Sequence, residues 1–128
     1  DNDVKFAGFV ADEELPFYYS ACDIFVMLNE MKSEEDFEGF GFVFAEAGAY
    51  GKPSIGGNNA GPKEVIDHQK TGFLVNPDSE REVFDSIQKL LDNEEERARM
   101  GKTARKKGFR EFTLDVMVSN FENKLLQL

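Results

Sequence analysis

Short segments rich in apolar and small residues alternate along the chain with mostly longer segments, some of which carry apolar residues at helical spacing. The short segments predict strands, at residues 4–9, 23–28, 52–56 and 71–75. The other segments predict helices, at residues 12–22, 42–50, 62–66, 79–91, 94–108 and 113–128. This alternation indicates an α/β fold, with a Rossmann-like, mainly parallel sheet flanked by helices.

Residues with special backbone roles support several of these boundaries. Asp12 is a candidate N-cap for the first helix, and Pro16 fits its first turn. Gly51 suits the position just after the second helix, where a left-handed backbone is common. Ser79 and Glu82 have the spacing of a capping box before the fourth helix.

Composition narrows the class of protein. The chain has 128 residues, and an apolar content of 41% is enough for the core of one small domain. The single cysteine, Cys22, excludes an internal disulfide framework, fits a reducing cytoplasm and is predicted to be an inert packed thiol. The single histidine, His68, falls in a polar segment and is predicted to lie in a surface loop. No sequence run is long and apolar enough to span a membrane, and no Cys/His spacing fits a metal site.

The charge is acidic overall and uneven along the chain. The net charge is −10, with 22 acidic and 7 basic side chains up to residue 96 and 3 acidic and 8 basic side chains after it. An acidic bulk argues against nucleic-acid binding, which needs a basic surface. Residues 97–110 contain seven basic and no acidic side chains. They predict an ordinary solvated helix, interrupted by Gly101 and Gly108, and peripheral contact with an anionic membrane is the alternative.

The most specific local pattern is an E-x7-E pair, formed by Glu38 and Glu46. A Gly-Phe-Gly step, Gly39 to Gly41, follows Glu38 and predicts a loop that leads into a helix start. Backbone N–H groups at a helix start attract anions, and carboxylates accept hydrogen bonds from paired hydroxyls. If the run were helical throughout, the two glutamates would lie roughly 12 Å apart. The pattern favours a ligand of the sugar–phosphate–sugar type, and a surface helix with two solvated glutamates is the alternative.

The predicted topology places this pattern at a favourable edge of the sheet. In parallel α/β sheets, ligands bind beyond the carboxyl ends of the strands. Residues 29–38 follow the second predicted strand, and residues 56–61 follow the third. We therefore expect both loops to lie on the same rim.

Four blocks in the same order resemble the family-4 (group 1) nucleotide-sugar glycosyltransferases. They are VKFAGFV at residues 4–10, ACDIFV at 21–26, EGFGFVFAEAGAYGKP at 38–53, and GPKEVI with TGFLV at 61–75. The resemblance covers nearly the whole chain. It implies that residues 1–128 are a partial C-terminal, nucleotide-sugar-binding domain of a two-domain GT-B fold. The N-terminal acceptor domain and the first strands of the C-terminal domain, with an Arg and a Lys that grip the diphosphate, would then be absent.

The resemblance also implies roles for individual residues. Glu38 would contact hydroxyls of the transferred sugar as an orienting and electrostatic catalytic group, and Glu46 would hold the ribose hydroxyls. Glu64 matches a recurrent glutamate, for which structural capping and proximity to the ligand both stay open. The remaining donor-binding positions, through backbone amides or as lining of the cleft, would be Gly39, Phe40, Gly41, Phe42, Val43, Gly56 and Gly57.

The implied reaction is transfer of a hexose from a nucleoside diphosphate sugar to an acceptor hydroxyl of a saccharide, lipid or polyol, with retention of configuration. The resemblance implies no cofactor and no bound metal. It implies a cytoplasmic location, with peripheral membrane contact left open, and a fragment that is inactive alone and could self-associate. The alternative function is a non-catalytic sugar-nucleotide-binding or regulatory module of the same fold.

Overall fold

The computed structural model describes residues 3–28 and 41–127. The strands in these ranges are β1 (Phe25–Met27), β2 (Ser54–Gly57) and β3 (Gly72–Val75). The helices in these ranges are α1 (Leu15–Ala21), α2 (Phe42–Ala49), α3 (Ala60–Val65), α4 (Glu80–Asp92), α5 (Glu94–Glu111) and α6 (Leu114–Leu125). The predicted alternation of strands and helices is confirmed, with boundaries that move by a few residues.

Within the described residues, the sheet has the order β1-β2-β3 and both pairs of neighbours are parallel. The central strand β2 is buried along its whole length because both faces and both edges are covered. Gly72 in β3 lies opposite Ser54, and a Cβ at Gly72 would approach the Ser54 carbonyl oxygen to 1.9 Å. The parallel pairing of the three described strands confirms the predicted α/β architecture.

Two apolar clusters cover the two faces of the sheet. Ile55 of β2 belongs to the first cluster, which it forms with Phe73, Val75, Leu90 and Met100. The next residue, Gly56, faces the opposite cluster, formed by Phe44, Val65 and Ile66. This division follows from strand geometry, because successive residues of a strand point to opposite faces.

Helix α2 is held against α5 by close backbone contacts. Gly51 ends α2 with φ +70°, as predicted for a residue just after a helix. Gly101 of α5 faces it, and a Cβ at Gly101 would lie 2.0 Å from the Gly51 carbonyl oxygen. Helix α5 therefore runs through Gly101 and Gly108 without interruption. The expectation that these glycines interrupt the basic helix is wrong, because Gly101 permits close helix packing.

The first predicted strand, residues 4–9, is wrong. Residues 4–10 adopt no regular strand or helix, and the Phe6 and Phe9 side chains are 96% and 93% exposed. A strand forms by hydrogen bonding to a neighbouring strand, and the described sheet provides no partner for this segment. The segment therefore has the composition of a strand but lacks a neighbouring strand among the described residues.

Two predicted helix starts need correction. Helix α1 begins at Leu15 and not at Asp12, because the Ala11 carbonyl accepts the N–H groups of Glu14 and Leu15 and forms a separate turn. The Ser79 hydroxyl does accept the Glu82 N–H at 3.3 Å. The Glu82 carboxylate, however, accepts the N–H of Asn76 at 2.8 Å, so only half of the predicted capping box forms.

The single cysteine and histidine lie where their sequence neighbours predict. Cys22 is half-buried, its thiol donates to the Tyr19 carbonyl at 3.4 Å, and burial raises the pKa of the thiol. His68 is exposed in the loop before β3, where its Nδ1 accepts the Leu74 N–H at 3.0 Å. Among the described residues, no helix is long and apolar enough to cross a membrane.

The contact between Gly101 and Gly51 predicts opposite effects for the same substitution at two sites of α5. We expect Gly101→Ala to lower the free energy of unfolding by about 1–3 kcal/mol, because the methyl group meets a backbone carbonyl. The matched control is Gly108→Ala, where a Cβ would have its nearest contact at 3.9 Å. It should be neutral or raise the free energy of unfolding by up to about 1 kcal/mol. Urea denaturation measures both, and equal effects would contradict the packing model.

Candidate functional site

The first part of the E-x7-E pattern, including Glu38, Gly39 and Phe40, lies outside the described residues. The predicted contacts of these three residues with the donor therefore stay predictions. The structure describes the pattern from Gly41 onward, through the start of α2 to Glu46.

The start of α2 lies beside the first turn of α3, the helix that follows β2. Gly41 is the N-cap residue, and its carbonyl accepts the Phe44 N–H at 3.0 Å. A Cβ at Gly41 would lie 2.7 Å from the Phe44 ring and 3.3 Å from the Gly61 carbonyl oxygen. The glycine therefore lets the start of α2 and the first turn of α3 approach each other. Residues 29–38 lie outside the described residues, so the predicted rim that they share with residues 56–61 stays a prediction.

The two glycines predicted to line the cleft are both buried in β2. At Gly56, a Cβ would lie 2.9 Å from both Ile66 and Pro62, so packing alone requires a glycine there. Gly57 is the last residue of β2 and its carbonyl accepts the Asn59 N–H at 2.8 Å. Contact of either residue with a ligand stays a prediction.

Glu46 is exposed on α2 and is held by a tyrosine that sequence reasoning did not identify. The Tyr19 hydroxyl of α1 donates to Glu46 Oε2 at 2.8 Å. The Tyr19 side chain is only 9% exposed and stacks on Tyr50, with ring centroids 5.6 Å apart and an interplanar angle of 12°. Burial raises the pKa of the Tyr19 phenol, and the hydrogen bond to Glu46 raises it further. Tyr19 is therefore a neutral hydrogen-bond donor at physiological pH.

Glu46 lines two concave surfaces. The first is a cavity of about 430 Å³, lined by Asp12, Leu15, Pro16, Tyr19, Glu46, Ala49 and Tyr50. The second is a groove of about 270 Å³, lined by Phe42, Ala45, Glu46, Ala49, Gly108, Phe109, Phe112 and Thr113. Because its side chain is exposed, Glu46 is accessible to hydroxyl groups of a ligand.

Glu64 is exposed on α3 and belongs to a different concavity. This third cavity, of about 560 Å³, is also lined by residues of α5 and α6, which include Glu111 and Phe121. It adjoins the groove beside Glu46 through Phe112, which lines both. The geometry thus leaves the two sequence-based interpretations of Glu64 open.

Several cations of the basic stretch have partners within the protein. Lys107 is buried, and its Nζ lies 2.7 Å from Asp67 Oδ1 and 3.9 Å from Glu111 Oε2. Arg97 donates to the Leu90 carbonyl at 2.8 Å, and Arg99 pairs with a glutamate on the same helix. The carboxylate partners of Lys107 and Arg99 reduce the positive charge available to an outside surface, which supports the interpretation of α5 as an ordinary solvated helix.

The sequence and the fold of the chain both match a known protein family. The family model described as "Glycosyl transferases group 1" matches residues 1–107. The α/β fold is that of the GT-B glycosyltransferases. The chain belongs to the group 1 glycosyltransferase family. Within the described residues, no group of three or more His, Cys, Asp or Glu side chains could hold a metal ion.

Individual relatives and solved structures agree with the family assignment. The chain is 39% identical over 103 residues to the GDP-mannose-dependent alpha-(1-6)-phosphatidylinositol monomannoside mannosyltransferase of Mycobacterium tuberculosis, covering 80% of this chain and 27% of that protein. Anabaena HepE in complex with UDP-glucose superposes with a TM-score of 0.83 and 27% identity, covering 100% of this chain and 33% of HepE.

A third match is the C-terminal domain of the group 1 glycosyltransferase LpcC from Francisella tularensis. Its TM-score is 0.73 at 27% identity, over 85% of this chain and 53% of that domain. The chain thus spans about a quarter of the M. tuberculosis relative and a third of HepE.

The raised pKa of Tyr19 predicts a pH dependence of stability. A phenol whose pKa is higher in the folded than in the unfolded state stabilises the fold fully below about pH 10, the ordinary tyrosine value. Above that pH the unfolded chain releases the proton first, so the free energy of unfolding falls by up to about 1.4 kcal/mol per pH unit. Urea denaturation between pH 9 and pH 11 should show this slope in the wild type.

Substitution of single tyrosines isolates the contribution of Tyr19. Tyr19→Phe should remove part of the alkaline slope, because it deletes the buried phenol and keeps the ring. Tyr18→Phe is the control, since Tyr18 is the preceding residue of α1 and is 52% exposed. The assignment fails if both variants keep the full wild-type slope.

Proposed function

We propose that the protein is a retaining glycosyltransferase that transfers a hexose from a nucleoside diphosphate sugar to an acceptor hydroxyl. In this proposal the chain is part of the C-terminal, donor-binding domain. The observation that carries it is the accessible Glu46 carboxylate, one helical turn after the start of α2, in a chain of the group 1 family.

The arrangement at α2 suits a nucleoside diphosphate. Backbone N–H groups at the start of the helix, from Gly41 to Val43, would meet a phosphate, because a helix start attracts anions. Glu46 follows about 6 Å further along the axis, counted from Phe42, and would accept the ribose hydroxyls. The rest of the donor would extend toward Glu38, which orients the hexose and stabilises charge at the reacting carbon.

The proposed reaction exchanges one bond at the anomeric carbon of the hexose. The bond to the diphosphate oxygen breaks, and the diphosphate leaves with the electron pair. A bond to the acceptor oxygen forms on the same face of the sugar, and the acceptor proton leaves with the departing diphosphate. Cations that neutralise the diphosphate would come from other parts of the polypeptide.

Two relatives support the donor class and leave its base to experiment. HepE is described in complex with UDP-glucose, and the M. tuberculosis relative is described as GDP-mannose-dependent. The LpcC match is described as a C-terminal domain, which supports the proposed position of this chain in the full protein. The acceptor would be bound elsewhere, as a saccharide, a lipid or a polyol.

A titration of the full polypeptide with UDP-, GDP- and ADP-sugars tests the proposal. We expect one base to be preferred, with Glu46→Ala weakening its binding by roughly ten- to a hundredfold, because charged hydrogen bonds to the donor are lost. The exposed Glu122 of α6 offers a matched control, and Glu122→Ala should bind like the wild type. Isothermal titration calorimetry gives the dissociation constants.

Further outcomes of this titration distinguish the alternatives. Binding without any sugar transfer to saccharide, lipid or polyol acceptors would favour the non-catalytic module. Wild-type affinity in Glu46→Ala, or no binding of any nucleotide sugar, would contradict the proposed site. Glu64→Ala, measured alongside, decides whether Glu64 contributes to donor binding.

A further inference from the structure

We propose that Tyr19 is a positioning residue that holds the Glu46 carboxylate in the orientation that receives the two hydroxyls of a ribose. The inference rests on the proposed function, because it concerns the donor site of that function. It adds a residue on α1, outside the E-x7-E pattern, to the machinery of nucleotide recognition.

The Tyr19 ring is fixed by aromatic neighbours from two other elements. It stacks on Tyr50, at the end of α2, and packs tilted against Phe25 of β1 at 5.7 Å between centroids. Phe25 in turn meets Phe44 of α2 edge-on at 5.7 Å. A ring held in this way presents its hydroxyl at one place, which is 2.8 Å from Glu46 Oε2.

The Glu46 carboxylate needs a partner that restrains its orientation before the donor binds. Its side chain is exposed and has several rotatable bonds, so an unrestrained carboxylate would sample many orientations. Ordering it when the donor binds would weaken binding, whereas a carboxylate that is already oriented avoids this loss. The hydrogen bond from Tyr19 uses one acceptor position on Oε2. A carboxylate offers about four such positions, so enough acceptor capacity is left for a diol.

A purely structural role for the same hydrogen bond makes a different prediction. If Tyr19 only joined α1 to α2, its loss would weaken the fold and lower the affinity for every nucleotide by the same factor. If Tyr19 orients Glu46, its loss should act on the ribose hydroxyls in particular. Nucleotides that differ only in the 2′-hydroxyl therefore separate the two roles.

The test compares ribonucleotides with their 2′-deoxy forms by calorimetry on the full polypeptide. The probes are UDP and 2′-deoxy-UDP, and GDP and 2′-deoxy-GDP. We expect the wild type to prefer the ribo form of the base that it binds. Tyr19→Phe should lower the affinity for that form by roughly three- to tenfold and change the affinity for the deoxy form by less than about twofold. Tyr18→Phe should leave both affinities unchanged.

The outcomes distinguish a failure of this inference from a failure of the proposed function. A wild type without preference for the ribo form would overturn the role of Glu46 in the proposed function, and the inference with it. A preference that persists in Tyr19→Phe would overturn the inference alone, as would equal losses for both nucleotides. In a Glu46→Ala background, a further selective loss on Tyr19→Phe substitution would also overturn it.

A measurement on the unmodified protein keeps the test decisive if Tyr19→Phe unfolds. The ¹³Cζ resonance of Tyr19 reports whether its hydroxyl stays hydrogen-bonded when the nucleotide saturates the site. We expect this resonance to stay near its position in the free protein. A shift toward the position of the exposed Tyr18 would mean that the ribose displaces the hydroxyl from Glu46, and the inference would fail.

Discussion

The close approach of α5 to the end of α2 is the constraint on which the rest of the structure depends. Gly101 lies so close to the Gly51 carbonyl that no side chain fits between them. This contact sets the distance between the two helices, and Gly51 itself turns the chain from α2 toward β2 through a left-handed backbone. The position of α2 over the sheet, and with it the direction of its first turn, therefore follows from two glycines that carry no chemistry.

The candidate site is built outward from this anchored helix. At its start, Gly41 lets α2 meet the first turn of α3, which follows β2 at the carboxyl end of the strand, where parallel sheets bind ligands. One turn later, Glu46 reaches the surface and lines two concavities, and the aromatic group around Tyr19 ties it to α1 and β1. A rigid apolar layer thus supports an exposed carboxylate, and rigidity below an exposed group is what selective recognition of hydroxyls needs.

Local patterns predicted a large part of this arrangement. The apolar runs identified β1 and β3, because parallel strands in a core need continuous apolar surface, and the helical spacing of apolar residues identified α4 and α6. Residues 4–9 were mispredicted because their composition suits a strand, whereas a strand also needs a partner. The glycines at 101 and 108 were misinterpreted for a related reason. From sequence alone, a glycine in a helix predicts an interruption, because the backbone that packs against it is not known.

The sequence by itself determined the fold class, the family and the position of Glu46 on α2, because these depend on short-range periodicity and on motifs within one segment. Only the tertiary structure decided which partner Glu46 has. The spacing of Leu15, Tyr19 and Cys22 places the tyrosine on the inner face of α1, but its hydroxyl bonds to a carboxylate 27 residues away. Such a contact forms when α1 and α2 pack on the same sheet. A local sequence pattern does not show which residues of separate segments come together in space.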